Sequence, residues 1–168
     1  MTGATPSTPA PAQVLEGEIT ARGRRVAIAA ARFNDFIVAS LLEGATGAWR
    51  SHGGSADDLL IARVPGAFEL PVVVRRLAAS GRFEAVIALG CVIRGDTPHF
   101  DYVAGECARG LTLASMETGV PVVFGVLTVN TTEQALERAA INGMNKGGEA
   151  LETALEMASL FQRLQQRV

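Results

Sequence analysis

The chain has 168 residues, of which 48% are hydrophobic, and this content excludes a wholly disordered protein. Its formal net charge of −2 argues against nucleic-acid and anionic-membrane binding, and no apolar run approaches the ~20 residues that a transmembrane helix needs. Cys91 and Cys107 have neither disulfide nor zinc-site spacing, and the N-terminus lacks a signal-peptide pattern, so we expect a cytoplasmic protein without a structural metal.

Strand-like and helix-like segments alternate after a tail, residues 1–13, whose Pro, Ala, Ser and Thr content predicts disorder. Short apolar runs predict strands at 25–31, 57–64, 85–90 and 120–128. Apolar residues at helical spacing predict helices at 36–51, 70–80, 100–118, 131–141 and 145–163. Buried strands that alternate with helices are typical of a parallel sheet covered on both faces. Residues 14–168 are therefore predicted to form one α/β domain, a three-layer αβα, flavodoxin-like fold with a four-stranded parallel sheet flanked by helices on both faces.

The chemically unusual residues follow the predicted strands. The segments after the four strands read ARFNDF, VPGAFEL, GCVIRGDTPHFDYV and TVNTTEQALER. In parallel α/β sheets, ligands bind beyond the carboxyl ends of the strands. Helix starts at the same edge supply N–H groups that favour anions. The sequence therefore predicts a site for a small molecule with a phosphate or several hydroxyls.

Each candidate residue also has an ordinary structural explanation. Phe33 before a helix cap is typical of a hydrophobic staple, and Glu69 of a charged first turn. His99 is typical of a surface histidine, and Cys91 of a small buried side chain. Lys146 lies in a Gly-rich loop that lacks the P-loop pattern. Their common place at one edge of one sheet is what favours a ligand site.

Taken together, the motifs resemble those of the lumazine synthase (6,7-dimethyl-8-ribityllumazine synthase) family. The resemblance covers about residues 17–161 and rests on ARFNDFI, VPGAFELP, ALGCVIRGDTPHFDYV, GVLT, EQALERA and NKGGEALETALEMA. It implies a transferase of riboflavin biosynthesis that joins 5-amino-6-(D-ribitylamino)uracil to 3,4-dihydroxy-2-butanone 4-phosphate and releases phosphate and water. It implies no metal and no organic cofactor.

The resemblance also implies roles for individual residues. His99 would transfer protons, and Arg138 would clamp the phosphate, with Glu137 and Lys146 nearby. Phe33 would stack on the pyrimidine ring, which Phe124 of a neighbouring chain would close. The other implied substrate contacts are Ala67, Phe68 and Glu69 on the ribityl chain, Cys91, Val92 and Ile93 along the pyrimidine, and Asp96 and Thr97 at the phosphate. Asp96 adds a carboxylate there, so we expect it to turn away.

The resemblance further implies active sites between the chains of a homopentamer, and in some members a shell of sixty chains. Ala-rich helix faces and an aromatic content of 5% suit close packing of helices. The segment 139–145 between the last two helices is short and lacks the insertion of some pentamer-only members, which favours the possibility that a shell can form without steric clash. Riboflavin synthase is a further implied partner, whereas we expect neither nucleic acid nor membrane as one.

Two other functions share the same fold pattern. A flavodoxin-like or receiver-like module would bind a flavin or nucleotide at the same edge, but it would not require both His99 and Arg138. A non-catalytic paralogue would use the fold as a scaffold. The joint presence of Phe33, Glu69, His99 and Arg138 argues against that scaffold.

Overall fold

The computed structural model describes residues 12–167, so most of the tail predicted to be disordered lies outside the described residues. One sheet contains four parallel strands in the order β2-β1-β3-β4, namely β1 Val26–Ala31, β2 Leu59–Val64, β3 Ala85–Ile93 and β4 Val122–Val129. The described part also contains the helices α1 Asp35–Ser51, α2 Leu70–Ala78, α3 His99–Thr118, α4 Thr132–Ala139 and α5 Lys146–Gln165. The predicted αβα fold is confirmed.

The central strand β1 shows why the sheet must be covered on both faces. Its residues are all at most 1% exposed. Alternate side chains point to opposite faces of a strand. The side chains of Val26, Ile28 and Ala30 therefore pack with α1, α4 and α5. Those of Ala27, Ala29 and Ala31 pack with α2 and α3 on the other face. An uninterrupted apolar run is the result of this two-sided burial.

The third strand is longer than its sequence predicts. The apolar run predicts a strand that ends at Gly90, but β3 continues to Ile93. Its last four residues, 90–93, pair with 126–129 of β4, whereas β1 has already ended at Ala31. The first part of the polar segment after the apolar run is therefore strand rather than turn. This overhang of β3 beyond β1 shapes the carboxyl edge of the sheet.

Thr131 and Gln134 give the fourth helix a capping-box pattern in the sequence, and the helix is capped nearly in that way. The Thr131 hydroxyl accepts from the Gln134 N–H at 3.2 Å. The Gln134 side chain accepts from the N–H of Asn130, one residue before the position that a standard capping box uses. The helix ends at Ala139, two residues earlier than predicted, because Ala140 leaves the helical conformation.

None of the helices in residues 12–167 combines the length and apolarity that a bilayer crossing requires.

The helices α1 and α5 pack with almost no space between their backbones. A Cβ added at Gly147 of α5 would lie 1.9 Å from the carbonyl oxygen of Leu41 in α1. No real contact is that short, so a side chain at position 147 forces the helices apart. A Cβ added at Gly47, which also lies on α1, would meet nothing within 4 Å.

We therefore predict opposite effects for two Gly→Ala substitutions. Gly147→Ala should lower the free energy of unfolding by about 2 kcal/mol or more, because the helices must separate. Gly47→Ala should be neutral or should raise it by up to ~1 kcal/mol, because Ala is the better helix former. Urea denaturation at matched protein concentration measures both. Equal midpoints for the two variants would contradict the close approach of α1 and α5.

Candidate active site

A cleft of about 610 Å³ opens at the carboxyl edge of the sheet. Its walls come from the segments that follow β1, β2 and β3, as the rule for parallel sheets predicts. Nine residues predicted from the sequence line it: Phe33, Ala67, Phe68, Glu69, Cys91, Val92, Ile93, Thr97 and His99. Sequence analysis missed five further lining residues: Gly66, Gly95, Phe100, Tyr102 and Val103.

Helical spacing explains part of what was missed. Tyr102 and Val103 lie three and four residues after His99 on α3, so they share a face with it. Once His99 is placed at a helix start that faces the cleft, this spacing predicts both. The remaining missed residues lie inside motifs that the sequence analysis had already singled out.

Asn34 fixes the loop that carries Phe33. The sequence predicts that Asn34 or Asp35 caps the first helix, and Asn34 occupies the N-cap position, but its side chain makes no cap hydrogen bond. Instead, the Asn34 backbone adopts a left-handed conformation with φ 57°, which Asn tolerates better than most residues. The side-chain amide of Asn34 donates to the Cys91 carbonyl at 2.9 Å. The Phe33 N–H donates to the Pro65 carbonyl at 3.0 Å. The loops after β1 and β2 are thereby tied to the overhanging part of β3.

Two phenylalanine rings are left open to solvent at the cleft. Phe33 is 71% exposed and Phe68 is 59% exposed, although both are large and apolar. Exposed aromatic rings that line a cleft provide flat surfaces for a planar ligand, which would cover them. Glu69 follows directly and adds a carboxylate that can accept hydrogen bonds from hydroxyls.

Cys91 is suited to a backbone contact and not to nucleophilic chemistry. Its side chain is 3% exposed, and burial raises the pKa of its thiol to about 11. The neutral thiol therefore dominates near pH 7, and the thiolate is the nucleophilic form. Burial likewise raises the pKa of Cys107 to about 11, within the core beneath α3.

The amino end of α3 also lines the cleft. His99 begins this helix, and its N–H donates to the Thr97 hydroxyl at 3.4 Å. The free N–H groups and the dipole of a helix start favour an anion in this position. Asp96 is exposed on the same loop but does not line the cleft.

The other predicted site residues lie outside the cleft of their own chain. Phe124 lies on the edge strand β4 and is 46% exposed. Glu137 is exposed on α4, and the guanidinium of Arg138 on the same helix donates to the Gln134 carbonyl at 3.1 Å. The ammonium of Lys146 pairs with Glu149 at 2.7 Å in the first turn of α5. Within one chain, Arg138 and Lys146 therefore do not line the cleft that His99 lines.

Residues 12–167 contain no group of three or more His, Cys, Asp or Glu side chains that could hold a metal ion.

Comparison with known proteins identifies the family. Residues 23–162 match the family model described as 6,7-dimethyl-8-ribityllumazine synthase. A protein of Syntrophus aciditrophicus (strain SB) named 6,7-dimethyl-8-ribityllumazine synthase is 53% identical over 151 residues, which are 90% of this chain and 98% of that protein. The resemblance found in the sequence motifs is confirmed. The chain therefore belongs to the 6,7-dimethyl-8-ribityllumazine synthase family, whose members are transferases of riboflavin biosynthesis.

Proposed function

We propose that this chain condenses 5-amino-6-(D-ribitylamino)uracil with 3,4-dihydroxy-2-butanone 4-phosphate to give 6,7-dimethyl-8-ribityllumazine. The observation that carries the proposal is the content of the cleft. An open phenylalanine face, a carboxylate and a histidine at a helix start line one cavity, and each matches a different part of the two substrates. Membership of the family supports the same reaction.

The pyrimidine and its ribityl chain fit the end of the cleft near β1 and β2. Phe33 supplies the stacking face, and the backbone of β3 at 91–93 supplies hydrogen-bonding groups along the ring edge. Ala67 and Phe68 bound the ribityl chain, and the Glu69 carboxylate accepts from its hydroxyls. This assignment uses each of these side chains for the contact that its chemistry favours.

The phosphate and the proton transfers belong at the other end of the cleft. The aromatic amine attacks the ketone to give a Schiff base and water, and phosphate then leaves as a proton is lost. The enol that remains becomes the second carbonyl, and the ribityl-bearing amine attacks it to close the ring with loss of a second water. The start of α3 with Thr97 receives the phosphate. His99 transfers the protons, because an imidazole exchanges protons near neutral pH and this ring lines the cleft.

The cations for the phosphate come from a neighbouring chain in this proposal. Arg138 offers a bidentate fork for phosphate, yet it does not line its own chain's cleft. Phe124 is an exposed aromatic on an edge strand, with no ligand-facing role in its own chain. We place Phe124, Glu137, Arg138 and Lys146 of one chain at the cleft of the next. A closed ring of such head-to-tail contacts gives the homopentamer.

The wider setting is part of the proposal. We place the enzyme in the cytoplasm as a single domain over 14–168, with no cofactor of its own. Riboflavin synthase, which uses the product, is the proposed partner enzyme. Assembly of pentamers into a sixty-chain shell stays a prediction.

We predict that His99→Ala and Arg138→Ala each remove a different part of the activity. His99→Ala should lower kcat by about 10²-fold or more, because proton transfer is lost, and should change KM little. Arg138→Ala should mainly raise KM for the butanone phosphate, because a charge-assisted pair is lost. Lumazine absorbance, measured against the uncatalysed rate, reports both. His52→Ala is the matched control, since His52 pairs with Glu152 at 3.0 Å between α1 and α5.

Two other outcomes would contradict the proposed reaction. If intact wild-type protein forms lumazine no faster than the uncatalysed reaction does, the chain is better explained as a non-catalytic paralogue. A bound flavin that cycles between its oxidised and reduced forms, without lumazine synthesis, would favour the flavodoxin-like binding module.

We also predict that light scattering gives the mass of five chains, about 88 kDa from 17.6 kDa each, or of a multiple of that unit. The Phe124 ring, which is 46% exposed on the edge strand β4, is covered by a neighbouring chain in such an assembly. A stable, fully active monomer would contradict a site built from two chains.

A further inference from the structure

Arg94 is the first residue after β3, and the proposed function does not yet use it. Its backbone N–H donates to the Val129 carbonyl at 2.9 Å and so extends the pairing of β3 with β4. Its guanidinium carbon lies 4.2 Å from the centroid of the Phe100 ring. The same guanidinium donates to the Asn130 side chain at 3.1 Å and to the Asp101 carboxylate at 3.3 Å.

These contacts join three segments that meet around the 94–99 loop. Arg94 begins the loop, Phe100 and Asp101 lie in the first turn of α3 that ends it, and Asn130 follows β4. The loop itself is exposed along its length. Gly95, Thr97 and His99 of this loop line the cleft, as does Phe100. Arg94 therefore braces, from outside the cleft, the loop that carries the proposed phosphate and proton-transfer groups.

The energetics favour a role in geometry over a role in stability. The side chains of Arg94 and Asp101 are 46% and 63% exposed, and ion pairs that open to water contribute about 1 kcal/mol or less to stability. A planar guanidinium that is stacked on a ring and bonded in two directions has, in contrast, little freedom to reorient. Its loss should disturb the position of the loop more than the fold.

The part of the cleft proposed for the pyrimidine has supports of its own. The strand segment 91–93 is held by its pairing with β4, and the Asn34 amide holds the Cys91 carbonyl at 2.9 Å. Phe33 is held through the Pro65 carbonyl. The proposed pyrimidine end and the proposed phosphate end are therefore supported by separate sets of contacts.

From this separation, we propose that Arg94 is a positioning residue for the phosphate-bearing substrate. By clamping the start of α3 to the end of β4, it holds Thr97 and His99 where the phosphate leaves and the proton moves. The inference rests on the proposed function, because it assigns the two substrates to the two ends of the cleft.

The first test compares Arg94→Met and Arg94→Lys with wild type in the full assembled protein. Arg94→Met should raise KM for the butanone phosphate and lower kcat, with a combined loss of about ten- to a hundredfold in kcat/KM. KM for the ribitylaminouracil should stay within about twofold, since its contacts do not involve Arg94. Arg94→Lys keeps the charge but loses the fork, so its loss should be intermediate. Thermal unfolding and assembled mass should match wild type.

Arg82→Met is the matched control. Arg82 also stacks on a phenylalanine, Phe83, at 5.7 Å, but it lies before the amino end of β3, away from the cleft. Its substitution removes one arginine and one ring contact without touching the 94–99 loop. Both KM values and kcat should stay at the wild-type level.

A second test uses the partner of Arg94 beyond β4. Asn130→Leu removes the acceptor and should reproduce part of the Arg94→Met loss, whereas Asn130→Asp keeps an acceptor and should retain activity. The double variant Arg94→Met with Asn130→Leu should lose no more than Arg94→Met alone, since both break the same contact.

The outcomes distinguish a failure of the Arg94 proposal from a failure of the proposed function. An active wild type whose Arg94→Met variant keeps its kinetics, or loses affinity for both substrates equally, overturns the positioning role and leaves the proposed function standing. If the Arg94→Met and Arg94→Lys chains both fail to assemble, the positioning role is likewise overturned and the proposed function still stands. A wild type that is no faster than the uncatalysed reaction overturns the proposed function, and the positioning role with it.

Discussion

The site depends on the unequal lengths of two neighbouring strands. The strand β3 continues for four residues beyond Leu89, the last residue that β1 pairs, and it does so by pairing with β4 on its other side. Within the described structure, one side of the segment 90–93 therefore faces no strand. A carbonyl left in this way needs a partner, and Asn34 supplies one to Cys91. Residues 91–93 of this step line the cleft together with Phe33 and His99.

In the proposed assembly, the chemistry is divided between chains. Three of the strand ends contribute to the cleft, and the fourth, with α4, carries Arg138 outside it. The cleft of a single chain thus offers an aromatic face, a carboxylate and a histidine, whereas Arg138, the proposed phosphate-binding fork, lies outside it. In the proposed ring of chains, each cleft receives that fork from a neighbour. Catalysis would then need the assembly, because binding and proton transfer would use groups of different chains.

Much of this architecture could be predicted from the sequence. Apolar runs identified all four strands, and the rule for parallel sheets identified the edge on which nine of the predicted site residues meet. The motifs identified the family, which the comparisons confirm. What could not be predicted is non-local. The length of β3 depends on pairing with β4, and Asn34 finds its partner 57 residues away. Arg94 likewise meets Asn130 across 36 residues, so no local pattern marks it.

The most direct measurement of the central claim is the activity of mixed assemblies. His99→Ala and Arg138→Ala chains would be co-expressed in equal amounts and purified together through different affinity tags. If each site takes His99 from one chain and Arg138 from the next, random assembly leaves both side chains intact in about one quarter of the sites, and the mixture should regain about that fraction of wild-type activity. Activity no higher than that of either variant alone would contradict a site shared between chains.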